Sequence, residues 1–148
     1  MGRSPATRPV KDRRKATARV DRVGRRPGRE VIIVSDATGR TAEVVVRAAL
    51  VQFQGAEVQL TIRPHVRTAA GVREAVQEAG RRCGLIVHTM VSSELRSLML
   101  TEGRAHGIPT IDLLGPLLLR LEDLLRLQPM AKPGLFREMD QEYRRRFE

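Results

Sequence analysis

The chain has 148 residues, 41% of them hydrophobic and 3% aromatic, a single cysteine and a formal net charge of +10. That length holds one domain with a real core, and the shortage of aromatics leaves Leu, Val, Ile and Ala to fill it, which suits helices packed on a parallel sheet better than an all-β sandwich. One cysteine excludes a disulfide framework and argues against a structural zinc site; with no apolar run of membrane-spanning length and no signal-peptide core, the expected location is the cytoplasm.

Residues 1–29 hold 11 Lys or Arg and 2 Asp, while residues 30–148 hold 16 basic and 15 acidic side chains. The excess charge therefore sits in the N-terminal stretch. With Pro5, Pro9 and Pro27 and almost no apolar periodicity, residues 1–29 bury too little surface to offset chain entropy, so a disordered basic tail is expected. Such a tail can contact nucleic acid through counterion release. Lacking interleaved aromatics for base stacking, it is read instead as a solvated extension, or as codons upstream of the true start translated in error.

Val31 to Val34 is a short β-branched run, the pattern of a strand buried on both faces. Polarity then changes abruptly at Ser35, Asp36, Thr38 and Gly39. Ala42, Val45, Val46, Ala49, Leu50 and Phe53 follow at helical spacing and predict one apolar stripe. Glu57 to Arg63 alternates as a second strand ended by Pro64, and Thr68 to Arg82 is a helix carrying Ala69, Val72, Val76 and Ala79, stopped by Gly84. Leu85 to His88 is a third strand, followed by the polar turn Thr89 to Ser93 and a helix with Leu95, Leu98 and Met99. Ile108 to Ile111 is a fourth strand ending at Asp112. Leu114, Leu117, Leu118, Leu121, Leu124 and Leu125 mark an amphipathic fourth helix, read first as core and second as a dimer or interdomain surface. Pro129, Pro133 and Gly134 make residues 129–148 a linker that opens a further helix, cut off, at Phe136 to Glu148.

Four strand and helix alternations with short connections predict a four-stranded parallel α/β sheet with flanking helices over residues 30–128, flavodoxin-like, in strand order 2-1-3-4. All strand ends then open on one edge. Ser35, Asp36, His65, His88, Thr89 and Asp112 fall at that edge, and Asp36, Thr38, Gly39, His88 and Thr89 are expected to line the crevice between the first and third strands, beside a helix N-terminus that suits an anion or a phosphate. Asp36 is a candidate metal ligand, hydroxyl orienter or base, and equally a turn residue capping nearby amides. Thr38 and Thr41 are candidate phosphate donors or helix caps, with capping favoured for Thr41. His88 is a candidate proton shuttle or phosphate donor, although a lone His at a strand end is more often structural. Asp112 is read as the N-cap of the fourth helix, His65 and His106 have no partner at ligand spacing, and Cys83 is read as a packing thiol.

Val34-Ser-Asp-Ala-Thr-Gly-Arg-Thr-Ala-Glu43, Val46 to Leu50, Gln52-Phe53, Ile111-Asp-Leu-Leu-Gly-Pro-Leu117 and Pro133-Gly134 resemble the pyruvate, phosphate dikinase regulatory protein family, which includes the phosphoenolpyruvate synthase regulatory proteins. The resemblance covers about residues 30 to 148. It implies a bifunctional enzyme: an ADP-dependent Ser/Thr kinase that inactivates the dikinase or synthase, and a phosphate-dependent activity that removes the phosphoryl group and releases pyrophosphate. ADP, inorganic phosphate and Mg²⁺ are the ligands this implies, and the dikinase or synthase the partner. The family's P-loop lies in a C-terminal half, and no Gly-Lys pair occurs here. Ala37 also stands in place of the family's usual Ser, and Arg40 in place of its usual Glu, which makes the turn more positive.

Three readings compete. The chain is an N-terminal domain, inactive alone, that needs a C-terminal P-loop half; or a non-catalytic α/β binding module; or a nucleic-acid contact made by the basic tail. The first absorbs the resemblance, the lack of a P-loop and the near neutrality of residues 30–148.

Overall fold

The computed structural model describes residues 29–82, 84–136, 138 and 145. The expectations for the basic tail, for Cys83 and for most of the last helix lie outside these residues. Within them the chain alternates β1 (Glu30–Ser35), α1 (Arg40–Leu50), β2 (Gln59–Arg63), α2 (Ala69–Arg82), β3 (Leu85–Thr89), α3 (Ser93–Ala105), β4 (Thr110–Asp112) and α4 (Gly115–Leu125). All pairings are parallel and the strand order is β2-β1-β3-β4, as the alternation predicts. No helix of the described residues is long and apolar enough to cross a membrane.

Strand β1 is buried along its whole length because it lies inside the sheet with helices on both sides. Ile32 and Val34 point to one face, where they pack with Val72 and Val76 of α2, Ile86 of β3 and Met99 of α3. Val31 and Ile33 point to the other, against Ala42 and Val46 of α1 and Val87 of β3. This alternation is the period of two that a strand imposes, and it makes the β-branched run apolar on both sides.

Charge is also built into the sheet. Glu30 is buried at the start of β1, where it accepts hydrogen bonds from Thr61 Oγ1 at 2.6 Å and Arg82 Nη1 at 2.9 Å. Arg63, at the end of β2, makes a two-pronged pair with Glu78 of α2, including Nε to Oε2 at 2.8 Å. These pairs meet the cost of burying a carboxylate and tie α2 to the sheet.

Two expectations change. The stripe on α1 is narrower than its spacing suggests: Ala42 and Val46 are buried, whereas Val45, Ala49 and Phe53 are exposed. The Leu-rich face of α4 is not core. Gly115 is the one buried residue of that helix, and Leu117, Leu121, Leu124 and Leu125 are exposed. An apolar stripe needs a surface to cover it, and the sheet offers α4 none.

Strand β4 starts two residues later than expected, because the amide of Ile108 still closes α3 on the Gly103 carbonyl at 2.8 Å and Pro109 has no amide to give. The crossing of α3 over β4 is close. A Cβ on Gly103 would stand 2.6 Å from Thr110 Cγ2 and 3.0 Å from the Ile108 carbonyl oxygen. Gly103→Ala is expected to destabilise the fold by about 1–3 kcal/mol in urea denaturation, the usual cost of overpacking. Adding Thr110→Ser, which removes the methyl group, should recover part of that loss.

Candidate functional site

The parallel sheet brings the ends of β1 and β3 to one edge, and the loops there are fastened together by their own polar groups. The Ser35 hydroxyl accepts from the amide of Ala37 at 3.1 Å and from the Thr89 hydroxyl at 3.2 Å. Asp36 is buried, and its Oδ2 accepts from the amide of Val91 at 2.8 Å. The Asp36 carbonyl accepts from Arg67 Nε at 2.8 Å, while the amides of His65 and Val66 donate to the carbonyls of Ala37 and Ser35, each at 2.8 Å. Asp36 thus adopts the amide-capping role weighed for it, with the amide supplied by the loop after β3 and not by its own turn.

A second fastening joins β3 to β4. Arg96 donates through Nη1 to the carbonyls of Met90 and Val91, at 3.1 and 2.8 Å, and its Nε lies 3.5 Å from Asp112 Oδ2. Oδ1 of the same carboxylate accepts the amides of Leu114 and Gly115 at 3.0 and 2.7 Å. Asp112 therefore caps the start of α4 as expected in kind, but from two residues before the N-cap, Leu114. Arg96 was not foreseen. On a helical wheel it is one more arginine, and only the fold shows that it faces two strand ends.

Helix α1 begins differently. Its N-cap is Gly39 at φ 80°, which has no side chain to offer as an acceptor, and among the described residues no other side chain accepts a first-turn amide. This corrects the assignment of Thr41 as cap: it lies inside the helix, two residues past the cap position, and is exposed. Glycine is required at position 39 by its left-handed backbone and by contact, since a Cβ there would stand 2.8 Å from Ile62 Cγ2.

A cavity of about 570 Å³ opens over this turn, in the size range of small-molecule sites. Ser35, Asp36, Thr38, Gly39, Thr41 and Thr89 all line it, so six of the seven predicted residues are brought together. The far wall comes from Leu114 and Leu118 at the start of α4 and from Pro129 to Lys132 and Gly134 to Phe136, a stretch read from sequence as a linker running into a further helix at Phe136. Two cations also border the cavity. Arg40 is the first residue of α1, and Lys132 lies 3.4 Å from Glu138 Oε2.

His88 is the seventh residue, and it does not line the cavity. By alternation it lies on the α2 and α3 face with Ile86, where it is buried and its Nδ1 has no hydrogen-bond partner. Among the described residues no group of three or more His, Cys, Asp and Glu side chains is placed to hold a metal ion.

Burial pushes the His88 imidazole below its ordinary value of 6.5; the charge of Asp112 opposes this and that of Arg96 adds to it. The unfolded chain accepts a proton near pH 6.5 that the folded protein refuses. The resulting stability is complete above 6.5 and is lost as the pH falls from there through the lowered folded value. The urea midpoint is expected to drop between pH 7 and pH 5, and to drop less in His88→Leu. Equal slopes in the two proteins would assign the pH dependence to another group.

The sequence model of one protein family, described as kinase/pyrophosphorylase, matches residues 31–148. Among curated proteins, relatives from Shouchella clausii and Geobacter sulfurreducens are each 40% identical over 118 residues, covering 80% of this chain and 44% of theirs. A relative from Listeria monocytogenes is 41% identical over 113 residues, 76% of this chain and 41% of its own. All three carry the provisional name pyruvate, phosphate dikinase regulatory protein, the Listeria one numbered 1. The chain spans less than half the length of these relatives.

Proposed function

The chain belongs to the kinase/pyrophosphorylase family, and from that membership we propose that it is the N-terminal α/β portion of a regulator of pyruvate, phosphate dikinase or phosphoenolpyruvate synthase. The regulator's two reactions are ADP-dependent phosphorylation of a Thr on the target and phosphate-dependent removal of that group as pyrophosphate. In this reading the cavity over Gly39 receives the phosphate-bearing ligand, and the portion described here is inert by itself.

The uncapped first turn of α1 carries this reading. Amides at a helix N-terminus with no side-chain acceptor attract an anion, and they open beside the hydroxyls of Thr38 and Thr41. Arg40 adds a second argument. A cation in the first turn opposes the helix dipole, a cost of about 0.3–1 kcal/mol at an exposed site, and a bound anion would reverse its sign. Ser35, Asp36 and Thr89 spend their side-chain hydrogen bonds on each other's loops, so their part is to hold the turn in shape.

Phosphoryl transfer depends on positioning and charge neutralisation, which a P-loop lysine and Mg²⁺ ordinarily supply. The sequence has no Gly-Lys pair, and the described residues have no metal-holding cluster. A catalytic partner segment is therefore part of the proposal. The test uses ADP labelled at its β position with phosphorylated dikinase or synthase as acceptor. Label is expected on the target Thr when this chain is combined with a separately made C-terminal half of a relative, and not with this chain alone. Transfer by the chain alone would overturn the assignment of an inert portion; silence in both, with a C-terminal half shown to fold and to work with its own N-terminal half, would favour a non-catalytic binding module.

A further inference from the structure

The two faces of the sheet are covered unequally. On one, α2 and α3 bury Ile32, Val34, Ile86, Met90 and Met99 completely. On the other, α1 packs on β1 and β3, but Ile111 of β4, the next strand, stays 46% exposed. Ile111 is in register with Val87, whose side chain packs on the α1 side, so the bare surface lies on that side at the β4 edge. The strands of an all-parallel sheet ordinarily have both faces covered.

Helix α4 follows β4 and does not close this gap. Leu117, Leu121 and Leu124 recur at four- and three-residue spacing and are 55%, 38% and 76% exposed. Leu114 and Leu118 point instead into the cavity wall. The helix thus turns one flank to the cavity and leaves a second apolar flank without a partner among the described residues. Strand β4 is also the sheet's outer strand, with one neighbour.

The relatives indicate what covers it. This chain matches 44% of the length of two of them, so more than half of such a protein lies outside the matched stretch. We infer that Ile111 and the Leu117, Leu121 and Leu124 flank of α4 form the docking surface for the remaining half of a family-length regulator, which seats an apolar helix or strand there and completes the layer begun by α1. The inference rests on the family reading above. It adds the surface, and it places the partner half beside the wall of the cavity formed by α4 and residues 129–136.

The test is binding of this chain to the C-terminal remainder of the Shouchella clausii relative, made separately and shown to fold by circular dichroism, measured by sedimentation. That relative's own two halves, mixed in parallel, serve as the positive control. A one-to-one complex is expected, weakened roughly tenfold or more by Leu121→Glu with Leu124→Glu, as for loss of a central apolar anchor. Leu100→Glu, at a leucine on α3 across the sheet whose exposure of 43% is close to the 38% of Leu121, should leave it unchanged. Equal weakening by both variants, or none by either, would overturn the assignment. So would no complex with this chain when the control halves associate, or self-association of this chain abolished by the α4 variant, which would make a second copy the occupant. Binding without phosphoryl transfer would leave the surface standing and remove the catalytic reading.

Discussion

The carboxylate of Asp36 is the contact on which the site depends. Burying it at the end of β1 is costly unless a donor meets it, and the donor is the amide of Val91 at 2.8 Å, across the crevice in the loop after β3. The Val91 carbonyl is held in turn by Arg96, which reaches Asp112 at the end of β4. Three loops from three strands therefore form one connected network of charge-assisted contacts. Each loop would otherwise carry unpaired backbone groups at an edge that the cavity keeps from becoming solid core.

That network explains what could and could not be read in advance. The strands, helices and strand order were legible because hydrophobic periodicity, Gly and Pro punctuation and the right-handed crossover rule are local or topological constraints. The crevice residues were legible for the same reason, since a parallel sheet delivers strand ends to one edge. What failed turned on the exact phase of a strand or on contacts distant in sequence. His88 falls on the far face by the alternation of a single residue, and Arg96 became visible only once α3 was placed over two strand ends. Thr41 was misplaced as a cap because Gly39 starts the helix through backbone geometry, a choice forced by the closeness of Ile62 on β2.

The α4 stripe shows a different limit. Apolar periodicity states that a face avoids water, but not which molecule covers it. In α2 the covering surface is the sheet; in α4 it is absent from this chain's described residues. Ile111 carries the same message from the strand side, because a β-branched residue in register with buried Val87 would be core if the layer were complete. One strand and one helix thus each carry apolar side chains that the described residues leave uncovered.

The division of labour among polar groups at the cavity follows. Residues conspicuous by burial, Asp36 and Ser35, have their hydrogen bonds committed to the scaffold, and the equally buried His88 faces away. Groups on the cavity side of the turn are the less conspicuous ones: the first-turn amides of α1, the hydroxyls of Thr38 and Thr41, and the guanidinium of Arg40. A site that binds an anion needs such a rigid frame, since donors that must reorganise on binding lose much of their electrostatic advantage. Through Oδ2, Asp36 ties the turn after β1 to the loop after β3, and that contact holds the turn in shape beside the cavity it lines.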